Sequence, residues 1–417
     1  MEAFDALVVG GGPAGSTFAE RLSRRGHRVL LVEEHDRIGY PIQCAGLVSQ
    51  RVLDLAGSDR FVLGRVRGAT VYGPRTASVT FRAPTPRAFV IHRAELDRHL
   101  ADRAAAAGAT VWTGWRFDRA QPPSDGRVVV EGRTSPGHPE SLSARLVVGA
   151  DGVASAVARA LRLRRPVEIL PAFEAEFPES PGDPEEVEVY LGLGLAPGLF
   201  GWSIPDGAGG ARVGVAARAD GTPARRYFDR LLEAIERRVG RRLRNPTSYL
   251  VSGIPIGSVP RTSAPHGLLV GDAAAQVKPL SGGGIYTGMR CAEIAADVAG
   301  RALTSGDLGA AALGRYDRAW RAELGDELNR TLYLRRLFLR LSDDDLEAIV
   351  GTLDRAELKG TIVAFGDIDF PSGVARQLLR ESPSLLRLFP KALGALWASG
   401  SFQAPELEPA PFPRHAK

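Results

Sequence analysis

Val9-Gly10-Gly11-Gly12-Pro13-Ala14-Gly15-Ser16 is the stretch that decides the fold. An apolar run at residues 4–9 leads into it, and residues 14–25 carry a helical pattern out of it. A second apolar run follows at 29–33. Continuous apolar runs of this length fit parallel strands covered on both faces, so the segment reads as a strand–helix–strand unit. Within it the G-x-G-x-x-G spacing places glycine where the turn is tightest (Gly10). It places another where backbone must approach a pyrophosphate (Gly12), and a third where the helix packs closely on the strand (Gly15). The N–H groups at the helix start then attract phosphate charge. Glu33 ends the second strand at the offset expected for an acid that binds a ribose. The unit is therefore expected to hold a dinucleotide.

Further along, Leu268-Leu269-Val270-Gly271-Asp272-Ala273-Ala274 repeats the pattern of a strand ending in an acid, ahead of a long Ala-rich helix at 284–303. Gly282, Gly283 and Gly284 open that helix and leave its first N–H groups free. A third element, Val148-Gly149-Ala150-Asp151-Gly152, again runs from strand to acid–glycine turn. A helix is expected from Arg93 to just before Gly108. The middle of the chain changes character: short β-rich runs at 187–191 and 212–216, punctuated by Gly and Pro, surround one helix at 224–239. Strand-like alternation at 69–81 belongs with that sheet. Amphipathic helical stretches are expected at 324–341 and 384–397, the second apolar with two basic residues and suited either to a core or to a membrane interface. The tail after Ser401 is Pro-rich. These readings divide the chain into a nucleotide-binding domain (1–165 and 261–305, with part of the second sheet near 66–92), an inserted sheet domain (166–260), a helical region (306–400) and a tail (401–417).

The chain has 417 residues and a formal net charge of +5, with 53 basic against 48 acidic side chains. Basic residues are not interleaved with aromatics, which argues against nucleic-acid binding. The excess suits an anionic partner such as a phospholipid face or an acidic electron carrier. Two cysteines, Cys44 and Cys291, make no disulfide framework and fit a reducing cytoplasm. They cannot by themselves hold an iron–sulfur cluster. His92 and His266 lack ligand-spaced partners, so no metal site is expected. The strand pattern begins too early for a signal peptide, and no apolar run approaches the roughly 20 residues of a bilayer span. Any membrane contact is expected to be peripheral.

The three glycine–acid elements together resemble those of the flavoprotein hydroxylase superfamily. Two other stretches are similar to one branch of it, the geranylgeranyl reductase family. These are Pro41-Ile42-Gln43-Cys44-Ala45-Gly46-Leu47 and Gly271-Asp272 through Lys278-Pro279 to Ser281-Gly282-Gly283-Gly284-Ile285. A third, Pro197-Gly198-Leu199-Phe200-Gly201-Trp202-Ser203-Ile204-Pro205, follows the family pattern P-x-x-Y-x-W-x-F-P with Phe200 for tyrosine and Ile204 for phenylalanine.

The resemblance implies an α/β fold: a Rossmann-type FAD-binding domain, an inserted, mainly antiparallel sheet and C-terminal helices. It implies FAD as cofactor, bound by Gly10, Gly12, Ala14, Gly15, Glu33, Cys44, Ala45, Arg93, Asp272, Gly284 and Ile285, with Asp272 accepting from a ribityl hydroxyl. It implies saturation of isolated C=C bonds on an isoprenoid lipid held against Phe200, Trp202 and Pro205, with Cys44 beside the reacting atoms as a proton source. The electron donor, NAD(P)H or ferredoxin, stays open. Lys278 is open between a partner for an anionic flavin or a substrate phosphate and a loop lysine reaching solvent. Cys291 is expected in the core. An FAD monooxygenase or halogenase, and a flavin-binding protein without turnover, are the alternatives.

Overall fold

A computed structural model describes residues 3–135 and 137–383. Strand Ala3–Val9 lies at the centre of an eight-stranded sheet. Val29–Val32 and then Thr110–Trp112 flank it on one side, and Pro139–Gly149 and then Gly267–Leu269 on the other, all parallel. The long strand Pro139–Gly149 also pairs, antiparallel, with Val128–Thr134, which pairs with Trp115–Ala120. Helices cover one face, and the two antiparallel strands with the short helix Ala156–Ala160 cover the other, so the unbroken apolar runs are buried on both sides. Val8, Leu31, Leu146 and Val148 pack with Phe18, Leu22, Ala295, Ala299, Tyr316 and Trp320 on one face. Leu7, Val9, Leu30, Val32 and Val147 pack with Trp115, Phe117, Val130 and Val157 on the other. Each fully buried Leu or Phe side chain here contributes about 1.5–3 kcal/mol.

The second sheet has seven strands in the order Ser248–Ile256, Glu168–Phe177, Ala211–Ala216, Phe200–Pro205, Glu186–Tyr190, Gly68–Tyr72, Ser78–Arg82. Its pairs are antiparallel except Glu186–Tyr190 with Gly68–Tyr72. Helix Ala224–Val239 covers one face, burying Tyr227, Phe228, Leu231 and Ile235 against Phe173, Val213 and Val215. The other face, carrying Leu170, Ala172, Trp202 and Ile254, packs against Leu332 and, through Ile254, against the loop at Gly282.

A three-stranded sheet, Leu47–Val48, Ala88–Ile91 and Val62–Val66, joins the two larger ones, with the short helix Gln50–Ala56 beside it. These short elements carry too few periodic residues to stand out in the sequence. The 324–341 stretch is helical only in part: helix Ala310–Trp320 runs through a π-turn at Arg321–Gly325 into Asp326–Phe338. Leu324 falls inside the turn, where the 3.6-residue period breaks. The 384–397 stretch and the tail lie outside the described residues.

Candidate active site

Three backbone turns form the first half of the site. Gly10 has φ +107°, and a Cβ there would lie 2.3 Å from the Ala150 carbonyl oxygen. A Cβ on Gly15 would lie 2.0 Å from the Gly10 oxygen. Only glycine permits this approach of strand, turn and helix. Gly12, by contrast, would carry a Cβ into open space. The helix that begins at Pro13 has no side-chain cap, and Pro13 itself has no N–H to satisfy. Helix Ile285–Ser305 starts at Gly284, also without a side-chain cap. The two helix starts meet where the methyl of Ala14 sits against Gly271 and Gly288.

Glu33 stands at this turn. Its Oε2 accepts from the Gly11 N–H at 2.8 Å, while Oε1 accepts from the His35 N–H at 3.1 Å. Asp272 is different. It is partly buried, touches Gly284 closely enough that a Cβ there would lie 2.8 Å from Oδ1, and its carboxylate accepts no hydrogen bond from any described residue. Burial pushes its carboxyl up from the ordinary value, and the Arg93 charge opposes this. A carboxylate held in a protein interior without a donor lacks its expected partner.

The third expected acid has another use. Asp151 accepts from the Ser155 hydroxyl at 2.6 Å and from the N–H groups of Ala156 and Val157, so it caps helix Ala156–Ala160.

Arg93, Cys44 and Asp272 come together although they are far apart in sequence. The Arg93 Nε donates to Asp97 Oδ1 at 2.8 Å, and its guanidinium lies close enough to Cys44 to feel the sulfur electrostatically. Burial works against the Arg93 charge, but Asp97 and Cys44 outweigh it and hold the guanidinium firmly protonated. The Gly46 N–H points at Cys44 Sγ, 3.4 Å away. The loop is held from the second sheet by Arg212, whose Nη1 donates to the carbonyls of Ala45 (2.7 Å) and Ile91 (3.0 Å). Nothing in the sequence marked Arg212 or Asp97, because each acts on a partner fixed only by tertiary structure.

The second half of the site is the inner sheet face. Phe200 and Trp202 share it, their rings edge to face at 6.3 Å. Side chains alternate along a strand, so Pro205 falls on the opposite face with Gly201, which lies against Leu231 of the covering helix. Pro205 therefore drops out of the expected substrate set. Trp202 crosses Gly214, where a Cβ would lie 2.5 Å from the indole ring, and donates from Nε1 to Glu174 Oε2 at 2.6 Å. Glu174 is buried, which pushes its carboxyl up to about 7 against the pull of the Trp202 hydrogen bond and the Arg212 charge. Sequence reading missed it: an acid in a β-run gives no signal of what it will face.

Lys278 does neither of the things expected of it. It is buried, and its Nζ donates to the Ile368 carbonyl (2.7 Å) and to Asp369 (2.8 Å), tying the glycine loop to the C-terminal helical region. Arg51 bonds to Asp367 and Asp369 in the same cluster. Cys291 is fully buried in the core, as expected. His92 caps helix Arg93–Ala106 through its ring nitrogen, and His266 bonds to the Arg145 carbonyl. No metal-ligating cluster occurs among the described residues.

Residues 3–318 match the FAD binding domain family. Digeranylgeranylglycerophospholipid reductase 2 of Methanothermobacter thermautotrophicus is 34% identical over 92% of this chain and 98% of its own length. The corresponding reductase of Methanothrix thermoacetophila is 33% identical over 92% and 97%. A geranylgeranyl bacteriochlorophyll reductase-like protein from Thermoplasma acidophilum superposes with a TM-score of 0.77 at 26% identity, covering 92% of this chain and all of its own. A flavin-dependent halogenase, CmlS, reaches a TM-score of 0.66 at 20% identity over 93% of this chain and 78% of its own, a likeness of fold alone.

Fold and site define an FAD-dependent oxidoreductase. The chain belongs to the digeranylgeranylglycerophospholipid reductase family. The residues fit FAD on the structure's own terms: two uncapped helix starts for pyrophosphate, space at Gly12, and the donorless Asp272 carboxylate.

Proposed function

We propose that this chain saturates isolated double bonds of geranylgeranyl chains on a lipid. The observation that carries this reading is the wall opposite the cofactor turns. Leu170, Ala172, Phe200, Trp202 and Ile254 form a largely apolar face, and Ile254 comes within contact of Gly282 while Arg212 reaches Ala45. A hydrocarbon chain needs such a wall. The chemistry also needs exclusion of water, because an isolated alkene has no neighbouring group to stabilise charge during addition.

In this reading Gly10, Gly12, Ala14, Gly15, Gly284 and Ile285 receive the pyrophosphate and ring through backbone. Glu33 binds a ribose hydroxyl and Asp272 a ribityl hydroxyl. Bound there, FAD would supply the electron pair of the reduction. Arg93 holds the Cys44 loop in place, with Cys44 and Ala45 closing over the cofactor. Cys44, whose sulfur accepts from the Gly46 N–H, orders this loop beside the reacting atoms. Phe200 and Trp202 orient the chain.

The lipid is drawn from a bilayer surface by a protein of net positive charge, in a cytoplasmic setting that suits its free thiols. No described helix is long and apolar enough to cross a membrane. The reductant is NAD(P)H or ferredoxin, and anaerobic reduction by each separates them.

The test mixes dithionite-reduced enzyme with geranylgeranyl lipids and follows product mass. A gain of one hydrogen molecule per bond supports the proposal. Oxygen-coupled NADPH oxidation with an unchanged lipid would favour a monooxygenase or halogenase instead. Purified yellow protein that no donor reduces would mark a flavin-binding protein without turnover.

A further inference from the structure

Strand Glu168–Phe177 alternates its side chains between two environments. Phe173, Ala175 and Phe177 face helix Ala224–Val239. Leu170 and Ala172 face the opposite way, with Trp202, Ile254 and Leu332, and Ile254 of this set lies against Gly282 of the cofactor loop. Glu174 belongs to this second set by register. It lies across from Gly214 on one neighbouring strand and Leu250 on the other.

It is 2% exposed, and the single hydrogen bond of its carboxyl among the described residues comes from the Trp202 indole. That donor is neutral and cannot compensate a carboxylate charge. The nearby cation, Arg212, is engaged elsewhere: Nε with Glu176 at 3.2 Å, Nη1 with the main-chain carbonyls of Ala45 and Ile91. Glu174 is therefore not the counter-ion of a structural pair. A buried carboxyl without a cation is costly unless it carries a proton, and such groups concentrate at reactive sites. Gly214 completes the arrangement, since any side chain there would push the indole off the acid.

Resting on the proposed alkene reduction, we propose that Glu174 is the acid that protonates the substrate double bond, with Trp202 aiming its carboxyl. The balance is simple. The electron pair and one hydrogen come from the reduced cofactor. The Glu174 O–H bond breaks and a C–H bond forms at the other alkene carbon as the π bond opens. The resulting carboxylate regains a proton from water before the next turnover. Burial, opposed by the Trp202 bond and Arg212 and assisted by Glu176, keeps the carboxyl protonated up to about 7. Cys44, in this scheme, orders the loop and does not supply the proton.

The test uses FAD-loaded enzyme with Glu174→Gln and Trp202→Phe. Glutamine keeps the shape and can accept from the indole, but has no acidic proton. Infrared spectra across a pH titration, wild type minus Glu174→Gln, are expected to show a protonated carboxylic C=O band that fades with a midpoint at about 7. Trp202→Phe should move that midpoint upward, because the lost hydrogen bond favoured the carboxylate. In single turnovers of pre-reduced enzyme with geranylgeranyl lipid, Glu174→Gln should slow about 10²-fold or more and lose the wild-type fall in rate with rising pH. A Glu174→Gln enzyme that keeps the wild-type rate and pH profile overturns the proposal, as does the absence of the band. A wild-type enzyme that leaves the lipid unreduced overturns the functional reading as well. That failure is distinct from one in which wild type and variant both turn over.

Discussion

The two halves of the site are built from different materials. The cofactor half is mostly backbone: turns at Gly10, Gly12, Gly15 and Gly284, and helix starts left without caps. The substrate half is mostly side chains on a sheet: Trp202 laid across Gly214 onto Glu174, and Arg212 reaching over to the cysteine loop. Backbone sites are encoded locally, in a few adjacent residues. Side-chain sites on a sheet are encoded by register between strands distant in sequence. The two halves should therefore fail in different ways when disturbed.

The largest effect is expected from Gly15→Val. A Cβ 2.0 Å from the Gly10 oxygen has nowhere to go, and loss of about 3 kcal/mol or more is expected, with no flavin retained on purification. Flavin absorbance per polypeptide and thermal unfolding check this together.

Next comes the pH dependence of stability through Glu174. Its folded carboxyl is raised from 4.5 to about 7, first by burial. A raised group stabilises the fold when protonated, so its contribution is full below 4.5 and is lost as pH rises through about 7. The displacement corresponds to roughly 3 kcal/mol. Denaturant midpoints of wild type should fall relative to Glu174→Gln across that window, and parallel curves would refute the assignment.

Arg212→Met should cost about 2 kcal/mol by stripping two carbonyls, Ala45 and Ile91, of their donor. It should also loosen the Cys44 loop, read as faster thiol labelling, while FAD stays bound.

Smallest in stability, and sharpest in meaning, is Asp272→Asn. It removes a carboxylate that no described residue satisfies, so the apoprotein should be no less stable. FAD affinity should fall about tenfold, the worth of one hydrogen bond to a charged group. Loss of apoprotein stability with unchanged affinity would show that Asp272 serves the fold and not the cofactor.

What the sequence revealed follows the same division. The glycine turns, the strand at 4–9 and the helix Ala224–Val239, bounded by Pro223 and Gly240, were legible because their determinants are contiguous. The cysteine loop and Trp202 were legible only through family resemblance. Glu174, Gly214 and Arg212 were not legible at all. Their meaning depends on which residues stand opposite across the sheet, and no periodicity in one strand records that. Lys278 misled for the same reason, since its partner Asp369 lies 91 positions away. Pro205 matched a motif yet fell on the wrong face, because a motif carries spacing but alternation decides direction.

The central claim is that these unlike halves enclose one reaction space. The most direct measurement is the flavin absorption spectrum of oxidised holoenzyme titrated anaerobically with a geranylgeranyl lipid. A saturable spectral shift in wild type, abolished in Trp202→Ala although FAD remains bound, is the predicted result. A lipid that binds with the flavin bands unmoved, or a shift that survives Trp202→Ala unchanged, would contradict it.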